Sequence, residues 1–146
     1  MKLKSLILAA GLAALATGSW ADGHAAKVKV GMITTLSGGG AGLGVDVRDG
    51  FMLAAKMAGN DNLEVVIEDD QQKPEIAVQL ADKMIQSEKV DLLTGIIWSN
   101  LAMAVVPAAT AQGKFYISPN AGPSPLAGKG CHPLYFNAAW QNDALH

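Results

Sequence analysis

Between residues 27 and 146, short apolar runs and runs of helical period take turns, separated only by brief polar breaks. Few architectures accept that order. Residues 27–34 (KVKVGMIT) read as a strand, followed by a glycine-rich turn over 37–44. A helix follows from Val45, with Val47, Phe51, Ala54, Ala55 and Ala58 spaced by threes and fours along one face. The stretch 59–62 ends it. Residues 63–68 read as a second strand and 69–73 as a loop whose acids, Asp69 and Asp70, cap a helix or face solvent. Pro74 suits the first turn of the next helix, where no backbone N–H is needed. That helix places Ile76, Leu80, Met84 and Ile85 together. Residues 90–97 form a largely apolar third strand, the pattern of a strand buried on both faces. A third helix, capped by Ser99 or Asn100, runs toward Gln112, with Pro107 a point where it kinks or stops. Residues 114–118 and 134–138 read as the last two strands, joined by a Pro/Gly-rich loop over 119–130. The stretch 140–146 begins another helix, with Asn142 or Asp143 as its cap. Strands that alternate with helices across short turns predict an α/β fold: a parallel sheet flanked by helices.

The first 21 residues follow a different rule. Lys2 and Lys4 precede an uncharged, mostly apolar run over 6–16, and small residues surround Ala21 before the first acid, Asp22. This is the layout of a secretory signal peptide cut after Ala21. The apolar run is shorter than the roughly 20 residues that span a bilayer. Residues 22–26 then read as a linker and 27–146 as a single lobe. Cleavage removes Lys2 and Lys4 but none of the 13 acids, so nine bases face 13 acids, a net charge of −4. A mildly acidic surface without a basic patch argues against nucleic acid as a partner. Cys131 is the only cysteine, so no disulfide can form within the chain; it reads either as a small buried hydrophobe or as the partner of a cysteine elsewhere. The helix begun at 140–146 has no Gly, Pro or polar tail to stop it, which predicts a longer parent protein.

In open parallel sheets, ligands collect at the carboxyl ends of the strands, beside helix N-termini. Four segments reach that edge: 36–44, 98–100, 118–122 and 140–143. They carry glycines, hydroxyls and amides but no His, Lys or Arg. Such an edge offers N–H groups and hydroxyls to an anion, helped by helix dipoles, and lacks a nucleophile paired with a base. The glycine turn, with Glu68, Asp69 and Asp70 after the next strand, imitates a dinucleotide fingerprint. The G-x-G-x-x-G spacing fails, however: counting from Gly38, Gly40 and Gly42, the sixth residues are Leu43, Val45 and Val47. No G-x-S-x-G, H-E-x-x-H or cysteine pair occurs, and His24, His132 and His146 have no ligand spacing to one another. The expectation is a binding protein without catalytic residues, metal or cofactor.

Residues 30–38 (VGMITTLSG), 69–74 (DDQQKP), 95–100 (GIIWSN) and 117–121 (ISPNA), in this order behind a signal segment, resemble type I periplasmic binding proteins of the Leu/Ile/Val-binding family. The resemblance covers essentially all of the chain after residue 26. It implies two α/β lobes joined by three hinge strands, a small ligand trapped between them, and docking of the closed form on an ABC transporter permease. Only the first lobe has a counterpart here. By resemblance, Ser99 holds the ligand carboxylate and Asn120 and Ala121 supply backbone contacts, with Asn100, Leu43, Trp140 and Asp143 as further ligand-binding candidates. Gly122 falls where amino-acid binders often carry Thr or Ser to help hold the ammonium. That departure, with Trp98-Ser99-Asn100 and residues 140–143, resembles the subgroup that takes aromatic or other organic carboxylates. Two other readings are a ligand-sensing ectodomain of a signalling protein on the same fold, and a Rossmann-type dinucleotide enzyme.

Overall fold

A computed structural model describes residues 27–59 and 61–145. The signal segment (1–21) and linker (22–26) read from the sequence lie outside the described residues. The elements run β1 (Val28–Thr34), α1 (Ala41–Met57), β2 (Leu63–Asp69), α2 (Pro74–Gln86), β3 (Leu92–Thr94), α3 (Ser99–Ala111), β4 (Phe115–Ser118), α4 (Ser124–Ala127) and β5 (Tyr135–Asn137), then a 3-10 turn at Asn142–Leu145. All five strands are parallel, in the order β2-β1-β3-β4-β5. The predicted α/β sheet is therefore present, doubly wound about β1.

Register assigns each side chain a face. Val66, Gly31, Leu93, Tyr116 and Tyr135 lie abreast on one face. This face carries the core. Leu93 and Tyr116 are fully buried with Met84 of α2 and with Leu101, Val105 and Val106 of α3. Gly31 is required here: a Cβ would stand 2.7 Å from both Leu93 Cδ2 and Met84 Sδ. The buried stripe of α2 is Ala77-Ala81-Met84-Ile85, with Ile76 and Leu80 only half-buried, because small residues let α2 lie close to the strands. Pro107 lies inside α3, which continues to Ala111.

On the opposite face α1 covers Val30 and Met32, both buried, but Phe115, Ile117 and Phe136 stay exposed. The expected apolar face of α1 is only partly used. Val47, Phe51 and Ala55 are half-buried, Ala54 and Ala58 are exposed, and Gly44 is the single buried residue of the helix.

Several sequence-based boundaries shift for local reasons. Helix α1 begins at Ala41 rather than Val45, taking in Gly42 and Gly44. The Ala41 N–H bonds the Gly38 carbonyl (3.3 Å), and Gly44 lies flush on the backbone after β1, where a Cβ would fall 1.8 Å from the Thr35 carbonyl oxygen. Strand β3 stops at Thr94 because Gly95 turns the chain at φ +108°, with no room for a Cβ beside the Ile33 carbonyl. The loop 119–130 contains α4, seated by the buried Leu126. The terminal helix is the 3-10 turn. Among the described residues no helix is long and apolar enough to cross a membrane. Cys131 is exposed, which removes its reading as a buried hydrophobe.

Candidate functional site

In a doubly wound sheet, the loops leaving the two strands where winding reverses diverge to opposite faces and open a crevice at their carboxyl ends. Here those strands are β1 and β3, since α1 lies on one face and α2 and α3 on the other. The crevice mouth is formed by 35–40 ahead of α1 and 95–98 ahead of α3. The first N–H groups of each helix have no intrahelical partner and carry the positive end of its dipole.

Ser99 opens α3, as its first residue. It is not the cap: Trp98 holds the N-cap position, with extended backbone (φ −96°, ψ 132°), no side-chain cap bond, and its carbonyl accepting the Ala102 N–H (3.0 Å). The predicted capping by Ser99 or Asn100 is thereby corrected. The Ser99 hydroxyl instead accepts from the Asn142 side-chain amide (3.2 Å), and is free to direct its own proton outward. Asn120 is tied by its side-chain amide to the Ile97 carbonyl (3.0 Å). Ala121 is buried and its carbonyl accepts from the Ser118 hydroxyl; the Gly122 carbonyl accepts the Asn142 N–H (2.8 Å). Both carbonyls thus serve the rim. Hydrogen bonds thus join the loops after β3, β4 and β5 into one rim.

Gly122 is held to glycine by that rim. A Cβ there would lie 1.8 Å from the Trp140 carbonyl oxygen, which also accepts from the Asn137 side chain (3.0 Å). Trp140 itself is 48% exposed. Leu43, in the first turn of α1, is 51% exposed. Leu43, Asn100 and Asp143 are not bonded into the rim: all three are exposed, and the latter two make no side-chain hydrogen bond among the described residues.

The sequence reading missed a second layer. Asp70, expected at a helix cap or in solvent, is 0% exposed. Its Oδ1 accepts from the Thr35 hydroxyl (2.7 Å) and the Gln72 N–H (2.8 Å), and Thr35 Oγ1 in turn accepts from Trp98 Nε1 (2.9 Å). Asp69 faces the other way. Its Oδ1 accepts the N–H groups of Leu36 (2.8 Å) and Gln71 (2.9 Å). Partial burial pushes the Asp69 carboxyl up, but the Ser37 hydroxyl and the N–H groups of Leu36, Gln71 and Ser37 outweigh it and hold the group below its usual value. Burial pushes the Tyr116 phenol well above its ordinary range; it accepts the Ile96 N–H (3.2 Å) beneath the same crevice. The signal for Asp70 was period-2 alternation, which sends adjacent acids at a strand end to opposite sides. Among the described residues no group of three His, Cys, Asp or Glu could hold a metal.

A doubly wound lobe whose switch-point crevice is lined by N–H groups and a hydroxyl can hold a small anion there. The chain belongs to the periplasmic binding protein family, whose model matches residues 27–146, and within it resembles the type I members that serve ABC transporters. Three solved structures locate it further. An R. palustris ABC-transporter solute-binding protein in complex with benzoate is 34% identical, with a TM-score of 0.77 over 81% of this chain and 34% of that one. A solute-binding protein of Rhodopseudomonas palustris BisB5 in complex with 3,4-dihydroxybenzoic acid is 27% identical, with a TM-score of 0.73 over 79% and 32%. The branched-chain amino acid binding protein LivJ of Streptococcus pneumoniae, in complex with isoleucine, is 28% identical, with a TM-score of 0.71 over 79% and 34%. The chain spans about a third of the length of these relatives. No curated protein sequence matches it.

Proposed function

We propose that the full-length protein is an exported solute receptor that binds a small organic carboxylate, with an aromatic acid favoured over an α-amino acid, and delivers it to the permease of an ABC transporter. The observation that carries this reading is Ser99: a hydroxyl at the first position of α3, its acceptor side engaged by Asn142, beside helix N–H groups. A carboxylate at the crevice would accept from Ser99, from the first turn of α3 and from the backbone of Asn120 and Ala121. The benzoate and dihydroxybenzoate complexes of the relatives support the ligand class. So does Gly122, where the Trp140 carbonyl fills the space that a Thr or Ser hydroxyl would need to help hold an ammonium. Leu43, Asn100, Trp140 and Asp143 are assigned to the open side of the site, where a second lobe would close. No residue is assigned a catalytic role.

Hydrogen bonds to a charged group contribute about 1.5–3 kcal/mol each. In the full-length protein, Ser99→Ala should therefore weaken benzoate binding roughly ten- to a hundred-fold, at about 1.4 kcal/mol per decade. Because the hydroxyl does not cap α3, the melting temperature should barely move. Wild type should strongly prefer benzoate to benzamide, and Ser99→Ala should narrow that preference. Equal binding of acid and amide by wild type defeats the carboxylate reading. Export is tested separately: protein recovered from the cell envelope should begin at Asp22, and a cytoplasmic protein retaining residues 1–21 would contradict it.

A further inference from the structure

The buried Asp70 has no cationic partner among the described residues, and its Oδ2 has no hydrogen-bond partner there. A carboxylate so placed is costly unless its hydrogen bonds are used. Chemistry fixes the direction of the chain it anchors. The indole Nε1–H can only donate, and Asp70 Oδ1 already serves as an acceptor for the Gln72 N–H, so the Thr35 hydroxyl takes a hydrogen from Trp98 and gives its own to Asp70. The three residues come from the ends of three strands, and the Trp98-to-Thr35 bond crosses the β1/β3 switch point.

Trp98 is the pivot of this arrangement in two further ways. Its indole lies on Gly40, the residue before α1, where a Cβ would stand 2.5 Å from Cζ2. Its own carbonyl opens the α3 ladder by accepting the Ala102 N–H. One side chain therefore sets the separation of the two helix N-termini that line the crevice. Both Thr35 and Asp70 are fully buried, so their bonds are shielded from competing water.

We infer that Asp70, Thr35 and Trp98 form a positioning relay that holds the N-terminus of α3, and with it Ser99, at a fixed place against the N-terminus of α1. None of the three need touch ligand. Because its N–H is committed inward, the Trp98 side chain has only ring carbon to offer whatever occupies the crevice. The relay's effect on ligand rests on the carboxylate reading of Ser99; its effect on α3 does not.

The test is hydrogen exchange on the full-length protein, comparing Thr35→Val, which deletes the hydroxyl at nearly constant volume, with Thr35→Ser, which keeps it. Losing the relay bond should speed exchange of the first bonded amides of α3, beginning at Ala102, by about tenfold in Thr35→Val. Amides of α2 and β3 should stay near wild type, and Thr35→Ser should restore the slow rate at Ala102. Equal acceleration everywhere, or no rescue by Ser, overturns the relay. Should Thr35→Val fail to fold, Trp98→Phe removes the N–H together with part of the indole; unchanged exchange at Ala102 in that variant also overturns it. Benzoate affinity is the second measurement, with an expected drop of about five- to tenfold in Thr35→Val or Trp98→Phe from loss of one such bond. If Ser99→Ala weakens benzoate binding and neither relay variant does, the positioning role fails while the carboxylate reading stands. If Ser99→Ala has no effect, the carboxylate reading fails and the relay is judged on exchange alone.

Discussion

The two faces of the sheet are built from the same five strands yet are finished differently. On the face under α2 and α3, the side chains of Leu93, Met84, Leu101, Val105 and Tyr116 are all fully buried. On the other face, α1 shelters Val30 and Met32, while Phe115, Ile117 and Phe136 form an open apolar strip in which the Phe115 and Phe136 rings pack at 6.1 Å. Helix α1 repeats the contrast along its own length. Met52, Leu53 and Met57 are exposed, Met57 by 78%, and a cavity of about 250 Å³ opens between α1 and β2, bordered by Met52, Lys56, Leu63 and Val65. The difference teaches that apolar sequence alone does not make a core. On β4 the exposed Phe115 and Ile117 are more apolar than the buried Tyr116 and Ser118, and only the side that meets the helices is buried.

Cavity formation is the sharpest way to break this comparison. Leu93→Ala should destabilise the chain by about 2–5 kcal/mol in urea unfolding, because the close-packed face cannot collapse around the gap. Phe136→Ala, on the open face, should cost under about 1 kcal/mol, the scale of a cross-strand pair. Equal losses would mean that the open face is covered in solution. Adding a methyl gives a smaller effect with opposite signs on the two faces. Gly31→Ala drives a Cβ into Leu93 and Met84 and should cost about 1–3 kcal/mol. Gly50→Ala, in α1 with nothing within 4 Å of the added Cβ, should stabilise by about 0.5–1 kcal/mol from helix propensity alone. A destabilised Gly50→Ala would reveal a neighbour over α1.

Much of this was legible from residue order. The five strands, the three long helices, Pro74 at the start of α2 and the carboxyl edge as the place for chemistry all follow from period and punctuation. So does the gathering of Ser99, Asn120 and Gly122, since each follows a strand that ends at the same edge. What could not be read was which atoms at that edge are already spent. Ser99 looked like a cap because Ser before a helical run usually is one; its oxygen instead accepts from Asn142, 43 residues downstream. The pair Asp69-Asp70 looked like acids that cap a helix or face solvent, and one of them is fully buried.

Sequence by itself determined the alternation, the parallel order it forces and the absence of basic groups from the segments at the ligand edge, because these depend on neighbours a few residues apart. Tertiary structure alone decided the bond of Asp70 to Thr35, the indole of Trp98 over Gly40, the carbonyl of Trp140 against Gly122 and the open face beside α1. Each of these is a contact between segments that share no local pattern. Only where the sheet brings strand ends within hydrogen-bond range does a polar side chain find the partner that offsets its burial.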